Sequence, residues 1–238
     1  FRSIANNQRF SVIVNHFKSK RCYGATGLDA DQGDGQGCYN ERRKQQANAL
    51  LSFAASVQTA AADNDLLIVG DLNGYAQEDP VNILVNAGYA NQLLRFAATP
   101  SATYSFVFDG EQGALDHALA SPSLAAQITG AGDWHINADE PSVIDYNAEF
   151  KPQDLYTPSV YRSADHDPLV VGLALSAAGA ARSPVRHLRH PALRIALHVA
   201  CPPPPTLERR RPRGCSRAAR PRSRPPRTSS PKCCRTSA

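Results

Sequence analysis

The chain has 238 residues and a formal net charge of +5, which is distributed unevenly. Residues 1–175 carry 11 Lys and Arg against 20 Asp and Glu, a net charge of −9, whereas residues 176–238 carry 15 basic residues and one acidic residue, a net charge of +14. No run of about 18 apolar residues is present, so no membrane-spanning helix is expected. The sequence contains no Met, and we expect it to be a processed product or a fragment.

The first predicted element is a strand over residues 10–14, where β-branched Val and Ile are concentrated. It leads into the sequence NHFKSK at residues 15–20. A histidine at the end of a buried strand, followed by two lysines, is suited to contact a phosphate group. His16, Lys18 and Lys20 are therefore candidate phosphate-binding residues, and an ordinary surface loop is the alternative.

Cys22 and Cys38 enclose a loop that is rich in Gly, Asp and Gln, a composition that cannot build a hydrophobic core. A disulfide between these cysteines would close the loop and contribute about 3 kcal/mol to stability. The acidic residues of the loop would also suit a calcium ion, although their spacing is not that of an EF-hand.

A long helix is expected to begin after Asn40, which is a favourable N-cap residue, and to end near Ala61. Its apolar residues recur at steps of three and four: Ala47, Leu50, Leu51, Ala54, Val57 and Ala61. One face of the helix should therefore pack on the core. The basic residues of its first turns are expected to be solvated: Arg42, Arg43 and Lys44.

The sequence LLIVGDLNG at residues 66–74 combines a short buried strand with a polar turn. Asp71 offers a carboxylate to a proton or a metal, and Asn73 offers an amide that can hold an oxyanion. Ligands of open α/β sheets bind at this edge, just beyond the strand ends. A turn without function is the alternative. A second helix is expected over residues 79–88, with Pro at its first position.

Residues 103–120 are typical of a β-hairpin, with a turn at residues 109–113 and a return strand at residues 114–120. Aromatic residues alternate along the first strand: Tyr104, Phe106 and Phe108. In the return strand, the two-residue period places Asp116 on one face and His117 on the other. A buried acid at this position would need a partner.

Residues 128–160 are rich in turn-forming residues and are expected to form a long surface excursion. The sequence YRSADHDP at residues 161–168 then precedes a strand over residues 169–175, where Pro168 is tolerated at the first position. Asp165 and His166 therefore stand at the start of a buried strand.

From residue 176 the composition changes to Pro and Arg, and no helix or strand pattern persists. We expect residues 176–238 to be a disordered or out-of-frame tail, because such a composition cannot bury enough apolar surface to fold. The alternative is a basic arm, in which case the protein would bind nucleic acid without catalysis.

Several polar residues thus stand at strand ends, and their residue types argue against a zinc site and against a serine nucleophile. Two histidines and several carboxylates, without clustered Cys or three spaced His, are not typical of a zinc site. Oxygen ligands suit Mg²⁺, which phosphodiester hydrolysis commonly uses. No Gly-x-Ser-x-Gly sequence is present, so a serine nucleophile on a strand-to-helix turn is not expected.

Four stretches resemble, in order and spacing, the motifs of the endonuclease/exonuclease/phosphatase superfamily, which has the deoxyribonuclease-I-like fold. They are VNHFKSK at 14–20, GDLNGYAQEDP at 70–80, ALDHALAS at 114–121 and YRSADHDPLVVGL at 161–173. Within this superfamily the chain is most similar to bacterial secreted nucleases. The resemblance covers residues 1–175 and implies an α/β (α+β) fold, a sandwich of two mixed β-sheets flanked by helices.

The resemblance also implies a role for each matching residue. His16 would contact the scissile phosphate, with Lys18 and Lys20 binding the substrate beside it. Asp71 would orient or deprotonate the attacking water, and Asn73 would stabilise charge on the phosphoryl oxygens.

The last two motifs supply the remaining roles. Asp116 would orient His166, which would bind the phosphate or shuttle a proton, while Asp165 would lie beside a metal ion. Mg²⁺ is the expected cofactor, with Ca²⁺ and Mn²⁺ as alternatives. His117 is left as a structural residue. The resemblance to secreted enzymes further predicts a disulfide between Cys22 and Cys38.

The expected function is metal-dependent phosphodiester hydrolysis by a secreted bacterial nuclease acting on DNA or RNA, with no membrane association and no obligate protein partner. A phosphomonoesterase or a sphingomyelinase-like enzyme of the same fold is the alternative. Ala164 stands where the family usually has Ser. The family's early Asn and Glu, which position the metal, would precede residue 1. We therefore expect the chain to be the C-terminal part of the domain and to be weakly active or inactive alone.

Overall fold

A computed structural model of the protein describes residues 1–144, 155 and 159–176, together with the backbone of a strand at Leu193–Leu197. Phe1–Cys201 forms one compact unit, and a second unit, Pro202–Ala238, lies outside the described residues. The strands are β1 Ser11–His16, β2 Leu66–Asp71, β3 Ala90–Asn91, β4 Phe106–Phe108, β5 Glu111–Gly113, β6 Asp116–Ala120, β7 Ile128–Asp133, β8 Leu169–Leu173 and β9 Leu193–Leu197. The helices are α1 Asn40–Ala61, α2 Asp79–Asn86, α3 Gln92–Phe96 and α4 Pro122–Ala125. None of the described helices is both long and apolar enough to cross a membrane.

The central sheet has the strand order β1-β2-β6-β3. β1 runs parallel to β2, whereas β6 runs antiparallel to both β2 and β3. All six residues of β2 are buried, as its apolar run predicts. Gly70 is required in β2, because its φ is +120° and a Cβ there would lie 2.1 Å from the carbonyl oxygen of Asn15. The close approach of β1 to β2 thus brings their C-terminal ends together.

A second, antiparallel sheet of β7, β8 and β9 lies against one face of the central sheet. The core between the sheets is apolar: Phe10, Leu67, Val69, Leu93, Ala118, Ala120, Leu124, Ala125, Ile128, Leu169, Val171 and Leu173. The other face is covered by α1 and α2, whose core residues include Ala47, Leu50, Ala54, Val81 and Leu84. The class is mixed α/β, as expected, but the second described sheet is antiparallel rather than mixed.

The two long helices lie close to their predicted bounds. α1 ends at Ala61, as predicted, but Tyr39 rather than Asn40 occupies its N-cap position. Asn40 lies within the helix and donates from Nδ2 to Asp79 Oδ2 at 2.8 Å. α2 begins at Asp79-Pro80, as the Pro at its first turn predicts, and ends at Asn86.

Arg43 is fully buried, so the expectation that it is solvated was wrong. It lies four residues before Ala47 and therefore shares the apolar face of α1. Its guanidinium donates to the backbone carbonyls of Cys38 and Gln36, both at 2.8 Å, and to that of Lys18 at 3.3 Å. A buried cation thus fixes the segment that precedes α1.

The disulfide predicted between Cys22 and Cys38 is present, with Cα atoms 5.2 Å apart. Cys38 is buried, and its carbonyl accepts one of the hydrogen bonds from Arg43. The Gly- and Asp-rich loop between the cysteines contains one short 3₁₀ helix, Gly27–Asp29. The loop is therefore held by a covalent bond and a buried cation rather than by a hydrophobic core of its own.

Three predictions for the second half of the chain were wrong. The predicted return strand does not pair with the first strand of the hairpin. Instead, β4 pairs with β5 through a two-residue turn at Asp109-Gly110, where both φ angles are positive. Residues 116–120 form β6, which pairs with β2 and β3. The expected surface excursion begins with β7, which pairs with β8. The segment expected to lack strands contains β9, which also pairs with β8. The rest of the expected tail lies outside the described residues.

Candidate active site

Three predicted site residues form one row across the central sheet. His16, at the end of β1, is the register partner of Asp71 on β2, and Asp71 is the register partner of Asp116 on β6. The parallel pairing of β1 with β2 and the antiparallel pairing of β2 with β6 bring these three positions to the same edge of the sheet. Residues from three distant parts of the sequence therefore meet where β2 ends.

Asp71 is buried and is held by its own turn. Its Oδ1 accepts from the backbone N–H of Asn73 at 2.6 Å, and its Oδ2 accepts from Asn73 Nδ2 at 2.9 Å. His16 Nε2 lies 3.4 Å from Asp71 Oδ2. Asn73 has a φ of +46°, a conformation that Asn tolerates better than most residues, so the turn closes on the carboxylate.

The pKa of Asp71 is raised to about 6. Burial is the largest cause, and the negative charge of Asp116 adds to it, while the nearby His166 and the hydrogen bond from Asn73 act in the opposite direction. Asp71 is therefore ionised near neutral pH, yet it is a stronger base than an exposed aspartate. Such a group can accept a proton from water.

His166 is brought to this row by Asp116. Its Nδ1 lies 2.5 Å from Asp116 Oδ2, which also accepts from the hydroxyl of Ser105 at 2.7 Å. The imidazole packs on the ring of Phe106, with centroids 4.6 Å apart. A carboxylate bound to Nδ1 fixes the orientation of the ring and presents Nε2, which is the role that the sequence resemblance predicts for Asp116.

The pKa of His166 is raised to about 9. Burial lowers it, but the hydrogen bond to Asp116 and the negative charges of Asp116, Asp71 and Asp165 outweigh burial. The imidazole therefore carries a positive charge at neutral pH. The site combines a carboxylate of raised basicity with a fixed cation, which together can accept a proton and stabilise an anion.

Asn73 uses both hydrogens of its side-chain amide within the protein. Nδ2 donates to Asp71 Oδ2 at 2.9 Å and to the carbonyl of Phe17 at 3.0 Å. The opposite orientation of the amide would place its oxygen against two acceptors, so the network selects this one. Asn73 can donate to a phosphoryl oxygen only if it releases one of these bonds, and its clearest role is to orient Asp71.

The two predicted substrate-binding lysines are already engaged. Lys18 Nζ lies 4.3 Å from the ring centroid of Tyr39. Lys20 Nζ forms an ion pair with Glu78 and lies 4.5 Å from the ring centroid of Tyr75. Burial lowers the pKa of Lys20 against the opposing effect of Glu78. Because Lys20 is paired with Glu78, its ammonium group could bind a phosphate only in competition with that carboxylate.

His117 lies on the opposite face from Asp116, as the strand period predicts. It is buried, and its ring nitrogens lie 2.7 Å from the carbonyl oxygen of Gly74 and 3.2 Å from Asn91 Nδ2. Burial lowers its pKa. His117 thus holds the turn that follows β2 and acts as a structural residue.

The described residues do not fit a complete Mg²⁺ site. Within residues 1–144 and 159–176, no three His, Cys, Asp or Glu side chains are grouped so as to hold a metal ion. Both oxygens of Asp71 already accept hydrogen bonds, as does Oδ2 of Asp116. Asp165, the predicted metal residue, is half-buried and contributes negative charge near His166.

A second histidine–carboxylate pair, not predicted from the sequence, lies beside this site. His135 Nδ1 lies 2.9 Å from Asp167 Oδ2, and the His135 ring stacks on Tyr104 with centroids 3.9 Å apart and an interplanar angle of 3°. The only signal was the second Asp of the sequence DHDP. The partner of this Asp167 is His135, which lies in the segment expected to be a surface excursion. The pairing therefore depends on tertiary structure.

Comparison of the chain with models of known protein families gives no match, and comparisons with curated protein sequences and with solved structures give none either.

Proposed function

We propose that this protein is a phosphodiester hydrolase of the deoxyribonuclease-I-like kind and that it cleaves nucleic acid. The observation that carries the proposal is the meeting of His16, Asp71, Asp116 and His166 at one sheet edge, with His166 held by Asp116 at 2.5 Å. These residues come from all four motifs on which the sequence resemblance rests. A structural turn does not need a buried carboxylate, a second carboxylate opposite it and a charged imidazole.

In the proposed reaction, Asp71 accepts a proton from a water molecule whose oxygen attacks phosphorus. Its pKa of about 6 suits this role near neutral pH. Asn73 keeps the carboxylate oriented through its two hydrogen bonds to Asp71. The water is thereby converted into the stronger hydroxide nucleophile as the new phosphorus–oxygen bond forms.

The imidazolium of His166 supplies positive charge to the phosphoryl group and donates its Nε2 proton to the leaving oxygen as the phosphorus–oxygen bond breaks. Asp116 stabilises the imidazolium through Nδ1. His16 is the second imidazole on the phosphate, beside Asp71. The products are a phosphomonoester and a free hydroxyl; Asp71 then returns its proton to solvent, and His166 takes one up from solvent.

Three parts of this proposal rest on the sequence resemblance: the requirement for Mg²⁺ (or for Ca²⁺ or Mn²⁺), secretion from a bacterium, and the absence of an obligate protein partner. The disulfide between Cys22 and Cys38 supports an oxidising compartment.

The direct test is hydrolysis of bis(p-nitrophenyl) phosphate, p-nitrophenyl phosphate, single- and double-stranded DNA and RNA, each with Mg²⁺, Ca²⁺, Mn²⁺ or EDTA. Asp71→Asn and His166→Asn should each lower kcat on the diester and on nucleic acid by about 10²- to 10⁴-fold. Asp31→Asn is the matched control, because Asp31 is exposed and the side-chain oxygen of the introduced asparagine can still accept the hydrogen bond from the backbone N–H of Gly33.

Faster hydrolysis of the monoester than of the diester would favour the phosphomonoesterase alternative. Equal activity of the unchanged chain, Asp71→Asn and Asp31→Asn would contradict the proposed site. Because the resemblance predicts weak activity for this chain, turnover is measured at high protein concentration and over long incubation. Binding of nucleic acid without any turnover under every metal condition would then favour a binding protein.

A further inference from the structure

The segment from Tyr104 to Phe106 supports two similar arrangements of three side chains. In the first, the ring of Phe106 packs on His166, and His166 is bound through Nδ1 to Asp116. In the second, the ring of Tyr104 packs on His135, and His135 is bound through Nδ1 to a buried carboxylate of the motif DHDP. Each arrangement therefore fixes an imidazole between an aromatic ring and a carboxylate, but only the first is used in the proposed reaction.

The two imidazoles are neighbours along both supporting segments. Tyr104 and Phe106 are separated by a single residue, Ser105, at which the chain bends. Asp167, which binds His135, directly follows His166 in sequence, and its backbone N–H donates to the carbonyl of Ser105. The second imidazole is therefore held next to the segment that carries the first.

His135 differs from His166 in its exposure. About 35% of the His135 side chain is exposed, compared with 15% for His166. Tyr104 covers one face of the His135 ring, and Asp167 occupies Nδ1. The exposed third of the side chain therefore belongs to parts of His135 that Tyr104 and Asp167 do not cover.

The exposed imidazole is also held rigidly. Asp167 Oδ1 accepts from the backbone N–H groups of Ile136, Asn137 and Ala138 at 2.8–3.1 Å, and these residues directly follow His135. Tyr104, beneath the imidazole, donates its hydroxyl to Asp139 at 2.5 Å. A flat, partly exposed ring whose position is fixed can stack on a ligand with little loss of side-chain entropy.

The surrounding charge favours an uncharged aromatic ligand over a second phosphate. Asp167 contacts the imidazole directly, and Asp133 and Asp139 lie close to the pair that it forms with Tyr104. Three carboxylates would repel a phosphate group. A nucleobase is uncharged and flat, and bases stack readily on aromatic side chains.

We propose that His135 is a specificity-determining residue whose partly exposed ring stacks a nucleobase flanking the scissile phosphate. The proposal rests on the proposed nuclease function. A base must leave its duplex stack to reach this surface, so the protein should cleave single-stranded nucleic acid in preference to double-stranded nucleic acid.

The test uses the full chain and short single-stranded oligonucleotides in which one residue at a time is abasic, with cleavage at each bond measured on gels. Removal of the base on one defined side of a bond should lower kcat/KM at that bond by about 5- to 150-fold. This scan needs no variant. An unchanged rate at every position would overturn the role of His135 while leaving the nuclease proposal intact.

Two variants assign the effect to His135. His135→Asn keeps a donor for Asp167 but has no ring face, so it should cleave intact strands as slowly as abasic ones. His135→Phe keeps the ring face but loses the bond to Asp167, so it should retain discrimination between intact and abasic strands. Melting temperatures of both variants report whether the fold is preserved. If His135→Asn discriminates as the unchanged chain does, the proposal is wrong; if the unchanged chain cleaves no strand, the nuclease function fails and this proposal with it.

Discussion

Asp71 and Asp116 lie directly opposite each other on the antiparallel strands β2 and β6, and both are buried. Like charges at opposite positions of a sheet destabilise it. The pair is tolerated because His166, which is positively charged near neutral pH, is bound to Asp116, while Asn73 donates twice to Asp71. The same opposition contributes to the raised pKa of Asp71. The repulsion between Asp71 and Asp116 thus destabilises the sheet and also makes Asp71 the stronger base that the proposed reaction needs.

The first prediction concerns the pH dependence of activity. Asp71 must be ionised and His166 must be protonated, and their pKa values are about 6 and about 9. We expect kcat/KM on a diester substrate to rise through pH 6, to stay high near neutral pH and to fall through pH 9. Steady-state rates between pH 5 and 10 provide the measurement. A flat profile across this range would contradict the roles of both residues.

The second prediction concerns stability. Because the pKa of His166 is about 9 in the folded protein and 6.5 for an ordinary histidine, its contribution to stability is fully present below pH 6.5 and is lost as pH rises through 9. The free energy of unfolding should fall by roughly 3 kcal/mol across this window. Urea denaturation at intervals of pH should show the decline in the unchanged chain and not in His166→Asn. The same slope in both would assign the decline to other groups.

The third prediction compares two adjacent arginines of α1. Arg43→Met leaves the carbonyls of Lys18, Gln36 and Cys38 without a donor, and we expect the free energy of unfolding to fall by about 2–4 kcal/mol. Arg42→Met is the control, since the Arg42 side chain is 58% exposed, and it should change stability by less than about 0.5 kcal/mol. Equal effects would show that the burial of Arg43 does not matter to the fold.

The fourth prediction concerns the disulfide. In the double variant Cys22→Ala and Cys38→Ala, the covalent link between two positions 16 residues apart is lost. Because the unfolded chain is then less restricted, the free energy of unfolding should fall by about 3 kcal/mol. Denaturation of both proteins in urea gives the difference. Thiol counting on the unfolded, unreduced chain is the companion measurement, and two free thiols at these positions would disprove the bond in solution.

The fifth prediction concerns the C-terminal segment. β9 pairs with β8 along five residues, so truncation after Ser176 removes one of the two strands that pair with β8 and should lower the melting temperature. Truncation after Cys201 keeps β9 and should leave the melting temperature unchanged. Identical melting temperatures for the two truncated proteins would restore the expectation that everything after residue 176 is dispensable.

The elements that the sequence predicted best have a strong local pattern. β2 is a continuous apolar run, α1 has an apolar face with regular spacing, and α2 has Pro at its first turn. β7 was missed because its sequence ITGAGD contains two glycines and few apolar residues, so its strand conformation depends on pairing with β8. β9 was missed although its sequence LRIAL alternates, because the composition around it was dominated by Pro and Arg.

The candidate site was predictable where a motif carried it. His16, Asp71, Asn73, Asp116 and His166 were named from the sequence, and the structure brings them together. The burial of Arg43 was not foreseen, because a run of three basic residues was taken as a solvated surface although Arg43 shares the apolar face of α1. The pairing of His135 with Asp167 spans 32 residues and leaves no local signal. The ion pair between Lys20 and Glu78 joins residues 58 positions apart and could not be predicted from the sequence either.

The row of His16, Asp71 and Asp116, completed by His166, also has a consequence for the order of events during folding. Every contact in the row joins distant parts of the chain, and the bond between Asp116 and His166 alone closes a loop of 50 residues. Long-range contacts of this kind form late, because the entropy of loop closure must first be overcome. Recovery of hydrolysis after dilution from urea should therefore lag behind recovery of helix. A nascent chain from which His166 has not yet emerged from the ribosome would therefore be inactive.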